Sequence, residues 1–457
     1  MKRIISVLIC MIMLTGTVTA ALKGDIDADG KITVSDALGA LRIAASLEEY
    51  SIAADADGDG NVTVADALEL LRCCLGFITP EGIGADTEIE FKVPKDAAKN
   101  LGLNRAIIDR AIVSAGDPSR VVNVMRKAQA GEDITIGFIG GSVTVGGAAT
   151  TFEARYARVV YNWWADNFPN SDVGYVNAGF SGTPSLFAVH RLEEHLMYAE
   201  PDVVVIEFGV NDELQAWQQE AYASLVRRIL TDDCQPAVLL FFVMNNMGNC
   251  AQADQVPIGE FYDLPMVSYR DAIWPEVEKG TYIWDDICAD YVHPTNKGHA
   301  ICGNLINAYF EGVYNNIDKL SSEIKPVRED LPLPYTYENT HWYHKGNYTP
   351  VGMGGFKETT SGIASWENIG DSADPLIMRV YGKRIVLPIL QGESAFINAT
   401  VTVDGGTPIS LSKDNLLISA GQMAYYMVYD SDTPKWHTVE ITRLAGTMSV
   451  CGLYLSW

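Results

Sequence analysis

The middle of the chain alternates short apolar runs with segments of helical periodicity. The apolar runs are "ITIGFIGG", "DVGYVNAGF", "PDVVVIEFGV" and "PAVLLFFVMNN", and a helical segment, "KGHAICGNLINAYFEGVY", closes the pattern. Apolar strands that alternate with helices predict an α/β domain with a mostly parallel, flavodoxin-like sheet. We assign this domain to residues 104–322. In such sheets ligands gather at the carboxyl ends of the strands.

Beyond about Tyr348 the helical periodicity disappears. Strand-like segments such as "AFINATVTVDGG", "MAYYMVYD" and "HTVEITRL" follow, with turn signals between them. They predict an antiparallel β-sandwich at residues 346–457, after a connector at residues 323–345. The sandwich could bind polysaccharide through aromatic side chains or could simply pack on the α/β domain, which we favour. The aromatic candidates are Tyr425, Tyr426 and Trp457.

The first twenty residues have the pattern of a secretory signal peptide. Lys2 and Arg3 are basic, an apolar stretch follows, and small residues end the segment at Ala20. The apolar stretch is short for a membrane span, so we expect cleavage and secretion, with a retained membrane anchor as the alternative. Residues 79–103 are interpreted as a linker.

The net charge and the cysteine content exclude some classes of binding partner and of structural site. The formal net charge of −25 argues against nucleic acid and anionic membranes. Seven cysteines remain after the signal peptide, without any C-x-x-C pair, so neither a zinc cluster nor a disulfide framework is indicated.

Two copies of a calcium-type loop begin at Asp25 and Asp55. Each copy carries carboxylates at loop positions 1, 3, 5 and 12 and glycine at position 6. This spacing wraps the chain around one Ca²⁺ ion, which takes about six to eight oxygen ligands. The ligands of the first loop would be Asp25, Asp27, Asp29, the Lys31 carbonyl, Thr33 (through water) and Asp36. Those of the second would be Asp55, Asp57, Asp59, the Asn61 carbonyl, Thr63 and Asp66.

An amphipathic helix follows each loop, and two loop–helix units in register resemble a type I-like dockerin. The predicted module covers residues 21–78. The resemblance implies two structural calcium ions and a cohesin module of a scaffoldin as partner, in an extracellular plant-cell-wall-degrading complex, the cellulosome. In the family, the residues at loop positions 10 and 11 help to determine which cohesin is recognised. Here they are Val34, Ser35, Val64 and Ala65, which depart from the commonest polar patterns.

Four short blocks follow the ends of predicted elements in the α/β segment. The first apolar run ends at Ser142, "NAGFSGTPS" contains Gly182, and "GVND" contains Asn211. "DYVHPTNKGH", just before the closing helix, contains Asp290 and His293. In this order the blocks resemble those of the SGNH (GDSL-like) hydrolase superfamily.

The resemblance implies a serine hydrolase, and the residue types fit the chemistry. A serine hydroxyl is a poor nucleophile until a base takes its proton. Ser142 would be the nucleophile, His293 the base, and Asp290 the group that orients the imidazole. The backbone N–H groups of Ser142 and Gly182 and the Asn211 side-chain amide would form the oxyanion hole. No catalytic metal is implied.

The sequence at Ser142 differs from the Gly-Asp-Ser motif that gives the family its name, because Gly141 occupies the aspartate position. "GGS" occurs in some branches of the superfamily. Two other known motifs do not match this stretch. A phosphate-binding P-loop requires a lysine, and none follows Gly146 or Gly147. The G-x-S-x-G turn of α/β-hydrolases requires a last glycine, and Thr144 stands in its place.

Several other titratable residues are expected to have structural roles rather than catalytic ones. Asp285 and Asp286 are weaker candidates than Asp290 for the acid, and Glu207 is interpreted as a satisfied buried acid. His299 is expected to cap or pack at the start of a helix. The histidines given no metal-binding role are His190, His195, His341 and His344.

The prediction is therefore a secreted serine esterase carried by a dockerin. Removal of O-acetyl groups from xylan or a related hemicellulose is the first choice of reaction, and pectin is the second. The alternatives are a lipid, aryl-ester or peptidase-like acyl hydrolase of the same superfamily, and a non-catalytic carbohydrate-binding subunit of the cellulosome.

Overall fold

A computed structural model describes the greater part of the chain. The described residues are 23–27, 31–45, 47, 52–56, 62–74, 101–212, 216–334, 336–359, 363, 365–368, 370, 372–390, 398–411 and 423–457. The predicted signal peptide, most of the predicted linker, and Asp29, Asp57, Asp59 and Asn61 lie outside these residues. The chain divides into two compact units, Met1–Glu90 and Phe91–Trp457.

The first unit contains two equivalent helices, α1 (Val34–Ala44) and α2 (Val64–Cys74). Thr33 caps α1: its side chain accepts a hydrogen bond from the Ser35 backbone N–H, and the Asp36 side chain accepts one from the Thr33 N–H. Such a capping box satisfies backbone donors that the first turn leaves unpaired. The helices share a small apolar core, against which Ile32 and Val62 pack at loop position 8 of each repeat.

The second unit begins with the predicted α/β domain. Its strands are β1 (Ile112–Ser114), β2 (Ile134–Gly140), β3 (Val173–Gly179), β4 (Val203–Glu207), β5 (Ala237–Phe242) and β6 (Met266–Ser268). Its longer helices are α3 (Arg105–Ala111), α4 (Ser119–Gln129), α6 (Tyr156–Asn167), α7 (Ser185–His195), α8 (Ala216–Thr231), α9 (Gln252–Phe261), α10 (Tyr269–Glu278) and α12 (Asn296–Tyr314). Two single turns, α5 (Ser142–Val145) and α11 (Trp284–Ile287), complete the helices of this domain.

The sheet has the order β1-β6-β5-β4-β2-β3, and β2 to β6 are parallel. Without the antiparallel edge strand β1, this is the flavodoxin order, in which the chain reverses direction across the sheet between β2 and β4. The continuous apolar runs predicted as strands are buried on both faces, as a covered parallel sheet requires. The predicted fold class is confirmed, and the switch point places any ligand beyond the ends of β2 and β4.

The C-terminal part is an antiparallel β domain, as predicted. Its strands are β7 (Thr340–Tyr343), β8 (Lys357–Glu358), β9 (Trp366–Asn368), β10 (Leu376–Leu390), β11 (Asn398–Val403), β12 (Ile409–Leu411), β13 (Met423–Ala445), β14 (Met448–Val450) and β15 (Leu453–Ser456). The long strands β10 and β13 pair along most of their length and bury an apolar core of their own.

The α/β domain and the β domain also share a core. The Phe187 ring of α7 stacks on Tyr454 of β15, with 5.3 Å between ring centroids, and meets Trp342 of β7 edge-on at 4.9 Å. A partly buried ion pair of 3.1 Å joins Arg384 of β10 to Glu220 of α8. The β domain thus covers helices α7 and α8 of the α/β domain.

The described residues also show the state of the cysteines and whether any helix could span a membrane. All seven cysteines in the described part of the chain are free thiols. Among the described residues, no helix has both the length and the apolar character that crossing a bilayer would require.

Candidate active site

The predicted nucleophile lies where β2 turns into a short helix. β2 ends at Gly140, and Ser142 is the first residue of the single turn α5. The turn closes when the Val145 and Gly146 N–H groups donate to the carbonyl oxygens of Gly141 and Ser142. An abrupt change from buried strand to helix leaves the Ser142 side chain partly exposed at the carboxyl end of the sheet.

Ser142, His293 and Asp290 lie in one hydrogen-bonded chain. The Ser142 Oγ is 2.8 Å from His293 Nε2, and His293 Nδ1 is 2.7 Å from Asp290 Oδ2. A carboxylate can only accept, so His293 Nδ1–H donates to Asp290 and Nε2 is left to accept the Ser142 hydroxyl proton. This is the tautomer that a serine nucleophile needs from its base.

The Asp290 carboxylate is held by more than the imidazole. The backbone N–H groups of Val292 and His293 both donate to Oδ1 at 2.8 Å. Burial would raise the pKa of Asp290, but these bonds and the His293 side chain outweigh it and lower the pKa below its usual value. The Trp284 indole N–H donates to the Asp290 carbonyl at 2.7 Å and fixes the backbone of this loop. Asp290 therefore stays ionised as a partner for His293.

Gly147 lies directly against the His293 ring. A Cβ atom on Gly147 would lie 2.6 Å from His293 Cδ2, so only glycine fits there. His299, fully buried near the start of α12, accepts from the Tyr156 N–H at 3.3 Å and donates through Nε2 to the Gly147 carbonyl at 3.0 Å. Burial lowers the pKa of His299, which favours this neutral form. The expected packing role of His299 thus extends to the loop that faces the base.

Asn211 lies directly against the turn that carries Ser142. A Cβ atom on Gly141 would be 1.9 Å from Asn211 Oδ1 and 2.8 Å from Nδ2. The Asn211 amide therefore occupies the space that any larger residue at position 141 would need. This contact gives a physical reason for glycine in place of the aspartate of Gly-Asp-Ser.

Gly182 follows β3 in a turn tied to the nucleophile strand, because the Phe180 N–H donates to the Gly140 carbonyl at 2.9 Å. Gly182 has a φ of 68°, in the left-handed region, and a Cβ atom there would meet open space. Conformation, rather than crowding, therefore favours glycine at this position. The described contacts do not join Gly182 to Ser142, so its oxyanion role stays a prediction.

The first calcium-type loop brings three predicted ligands together. The carboxylates of Asp25, Asp27 and Asp36 each offer an oxygen, and these oxygens lie within 4.8 Å of one another. Hard oxygen donors at this spacing suit Ca²⁺. In the second loop Asp66 repeats the bonding of Asp36: it accepts from the Ala56 N–H at 2.8 Å and from the Thr63 N–H at 2.7 Å. The described part of each repeat is therefore compatible with a bound calcium ion.

Comparison with known proteins agrees with this geometry. Residues 138–301 match the GDSL-like lipase/acylhydrolase family, and residues 23–73 match the type I dockerin domain. A crystal structure of a two-domain esterase active on acetylated mannans, co-crystallised with mannopentaose, aligns at 30% identity and a TM-score of 0.68. The alignment covers 76% of this chain and 97% of the esterase. The chain belongs to the GDSL-like lipase/acylhydrolase family.

A second crystal structure of a two-domain esterase active on acetylated mannans gives nearly the same result. It aligns at 29% identity and a TM-score of 0.67, over 76% of this chain and 98% of the esterase. No curated protein sequence matches the chain significantly. The predicted resemblances to the SGNH (GDSL-like) hydrolases and to the type I dockerins are confirmed.

Two buried acids lie at and just after the end of β4: Glu207, which was expected to be buried, and Asp212, which was not considered. Glu207 is fully buried at the end of β4, and burial raises its pKa to about 7. Asp212 accepts from the Ser185 N–H at 2.8 Å and from Gln255 Nε2 at 3.0 Å, and burial likewise raises its pKa to about 7. Sequence patterns gave Asp212 no role, although its place beside Asn211 in "GVND" was a usable signal.

The surface beside Asp290 and His293 carries two exposed, largely apolar side chains. The Tyr291 ring, between Asp290 and His293, is 58% exposed and lies 6.4 Å from the His293 ring, centroid to centroid. Met247, 65% exposed, lies on a neighbouring loop whose Asn246 N–H donates to the Tyr291 carbonyl at 2.8 Å. The two side chains are thus exposed on adjoining loops near His293.

Proposed function

We propose that the protein is a secreted serine esterase that removes O-acetyl groups from plant cell-wall polysaccharide and attaches to a cellulosome through its dockerin. The observation that supports this most is the hydrogen-bonded chain from Asp290 through His293 to Ser142 at the switch point of the sheet. Family membership favours acyl-ester hydrolysis as its chemistry.

The proposed reaction has two steps. In the first, Ser142 Oγ attacks the ester carbonyl carbon while its proton passes to His293 Nε2. The intermediate collapses, His293 returns the proton to the sugar oxygen, and an acetyl-serine remains. In the second, water gives its proton to His293 and attacks the acetyl carbon, which releases acetate and restores the Ser142 hydroxyl. The Asn211 amide, with the N–H groups of Ser142 and Gly182, stabilises the negative carbonyl oxygen in both steps.

The proposed substrate class is acetylated hemicellulose. The two aligned esterases are active on acetylated mannans, and the alignment spans both of their domains. A dockerin places an enzyme among others that degrade plant cell walls. We therefore add acetylated mannan to the predicted xylan as the polymers to compare.

The exposed Tyr291 and Met247 side chains favour a substrate with a sugar ring near the ester. A pyranose ring has apolar faces that pack on aromatic and aliphatic side chains, whereas a small synthetic ester such as 4-nitrophenyl acetate needs no such surface. Replacement of Tyr291 should therefore affect polymer and small-ester hydrolysis differently.

Acetate release from acetylated glucomannan and xylan, measured beside hydrolysis of 4-nitrophenyl acetate and a long-chain 4-nitrophenyl ester, tests this proposal. We expect acetate from at least one polymer and little cleavage of the long-chain ester. Tyr291→Ala should raise the KM for the polymer but not for 4-nitrophenyl acetate. The matched control is Trp436→Ala, which removes an aromatic side chain that is 59% exposed on β13.

Three outcomes would contradict the proposal in different ways. Long-chain cleavage without acetate release would favour a lipid esterase. Polymer binding with no ester cleavage at all would favour a non-catalytic subunit. A KM increase only with Trp436→Ala would place polymer recognition on the β domain instead of beside His293.

The proposed docking function rests on the first unit. Type I dockerins bind calcium, and the duplicated helices expose equivalent apolar side chains at their starts: Val34 is 61% exposed and Val64 is 65% exposed. These are two of the residues expected to contact the cohesin and to determine which cohesin is recognised. Calorimetric titration with a cohesin module should show binding that a calcium chelator abolishes, and binding that survives chelation would contradict the calcium-dependent docking.

A further inference from the structure

Glu207 occupies the last position of β4, opposite Gly140 at the end of β2 in the parallel pairing. Its side chain is 0% exposed. A buried carboxyl group loses its hydration, so the groups that hydrogen-bond it do much to hold it in place. The identity of those neighbours indicates what Glu207 does.

One set of neighbours belongs to the nucleophile turn, residues 140–145. The Thr144 hydroxyl donates to Glu207 Oε2 at 3.1 Å. Its single proton is then used, so the Tyr156 hydroxyl, 2.9 Å away, donates to Thr144. The backbone N–H of Gly141, the residue before Ser142, donates to the backbone carbonyl of Glu207 at 3.3 Å.

The other set belongs to the oxyanion turn, residues 209–212, which carries Asn211. The backbone N–H groups of Asn211 and Asp212 donate to the carbonyl of Phe208, the residue after Glu207, at 3.1 and 3.0 Å. Asp212 also lies close enough to raise the pKa of Glu207 further. Asp212 in turn accepts from the Ser185 N–H and from Gln255, so this turn is tied to helices α7 and α9.

We propose that Glu207 is a positioning residue for ester hydrolysis, whose hydrogen bonds to Thr144 and Gly141 hold the nucleophile turn against the end of β4, from which the oxyanion turn continues. The inference rests on the proposed function. Glu207 touches no reacting atom and acts through the placement of Ser142 and Asn211. Those two groups must meet the carbon and the oxygen of the same carbonyl, so a small relative shift of the turns costs catalysis.

Two substitutions at Glu207 separate this role from a general effect on folding. Glu207→Leu removes the hydrogen bond from Thr144, and we expect kcat to fall about 10²-fold, as for a misplacement of about 1 Å, with KM little changed. Glu207→Gln keeps an acceptor for Thr144 and should lose only about tenfold, the value of about one hydrogen bond.

The matched control is Glu276→Leu. Glu276, 8% exposed on α10, pairs with Arg110 at 2.7 Å and contacts neither turn. We expect its replacement to lower the melting temperature while kcat stays at the wild-type value. A Glu207→Leu protein that is folded, less stable and fully active would overturn the proposal.

Hydrogen–deuterium exchange provides a readout that does not depend on hydrolysis. In Glu207→Leu, peptides covering both 138–146 and 207–212 should exchange faster than in the wild type, and in Glu276→Leu they should not. Wild-type exchange in both peptides of Glu207→Leu would also overturn the proposal. If instead the wild type hydrolyses no ester and Ser142 resists a fluorophosphonate probe, the proposed function fails, and exchange alone decides the positioning role.

Discussion

Asn211 shows how closely single residues are placed at this site. Its side-chain amide fills the space above Gly141, one residue before the nucleophile. A donor fixed in this way can stabilise the carbonyl oxygen as it becomes negative without having to reorient. The proposed oxyanion role of Asn211 therefore depends on glycine at position 141 as much as on the amide itself.

We expect Asn211→Ala to lower kcat by about 10²–10³-fold, the usual loss for one oxyanion donor. KM should change little, because the interaction strengthens only as charge develops. Steady-state kinetics with a soluble acetyl ester measures both constants. Asn315→Ala, an exposed amide at the end of α12, serves as control, and an Asn211→Ala protein with wild-type kcat would remove Asn211 from the oxyanion hole.

The buried Glu207 also predicts a pH dependence of stability. Its folded pKa of about 7 lies above the usual value of 4.5, so between these values the folded state binds more protons than the unfolded state. Its contribution to stability is therefore full at low pH and is lost as the pH rises towards 7.

Glu207→Gln removes this titration. The free energy of unfolding of the wild type should fall relative to Glu207→Gln as the pH rises from about 4.5 to 7, and the difference should then level off. Denaturant titrations at several pH values measure it, with the exposed Glu132→Gln as control. A constant difference across this range would show that folding does not raise the pKa of Glu207.

At the scale of elements, the dockerin repeats are nearly equivalent. Each loop ends in an aspartate that holds the backbone of its own loop, and each helix exposes a valine at its first position. Equivalent surfaces permit two docking orientations on one cohesin. Asp25→Ala or Asp55→Ala alone should therefore leave cohesin binding, and the double variant should lose it. Calorimetry decides this, and loss of binding with either single variant would exclude two orientations.

The alternation of apolar runs and helices was sufficient to predict the α/β domain, because period and length differ between strands and helices. Strand continuity in the β domain was harder. "MAYYMVYD" and "HTVEITRL" were expected as separate strands, yet both lie in β13. The turn signals around Pro434 form a bulge where Gly382 pairs with Lys435 and Arg384 with Asp430. Long-range pairing with β10 overrides the local turn preference there.

The candidate site was predictable only in part, for a similar reason. Ser142, Asn211, Asp290 and His293 stand in recognisable local patterns. The contacts of Glu207 with Thr144, and of His299 with Gly147, join residues from distant parts of the sequence. Such contacts appear only when the sheet has assembled.

At the scale of the whole molecule, the two compact units predict opposite effects of truncation. Removal of residues 1–78 should leave esterase kcat and melting temperature unchanged. Removal of residues 346–457 should unfold or strongly destabilise the remainder, because it exposes Phe187 and its neighbours on α7. Each large apolar side chain so exposed costs about 1.5–3 kcal/mol, a sizeable part of the stability of a domain. A stable, active protein lacking residues 346–457 would show that the β domain is independent.

The most direct test of the whole account is acetate release from acetylated hemicellulose by the wild type and by Ser142→Ala. We expect release by the wild type and a loss of about 10⁴–10⁶-fold in kcat for Ser142→Ala, with an unchanged melting temperature. Wild-type acetate release by a folded Ser142→Ala protein would contradict it.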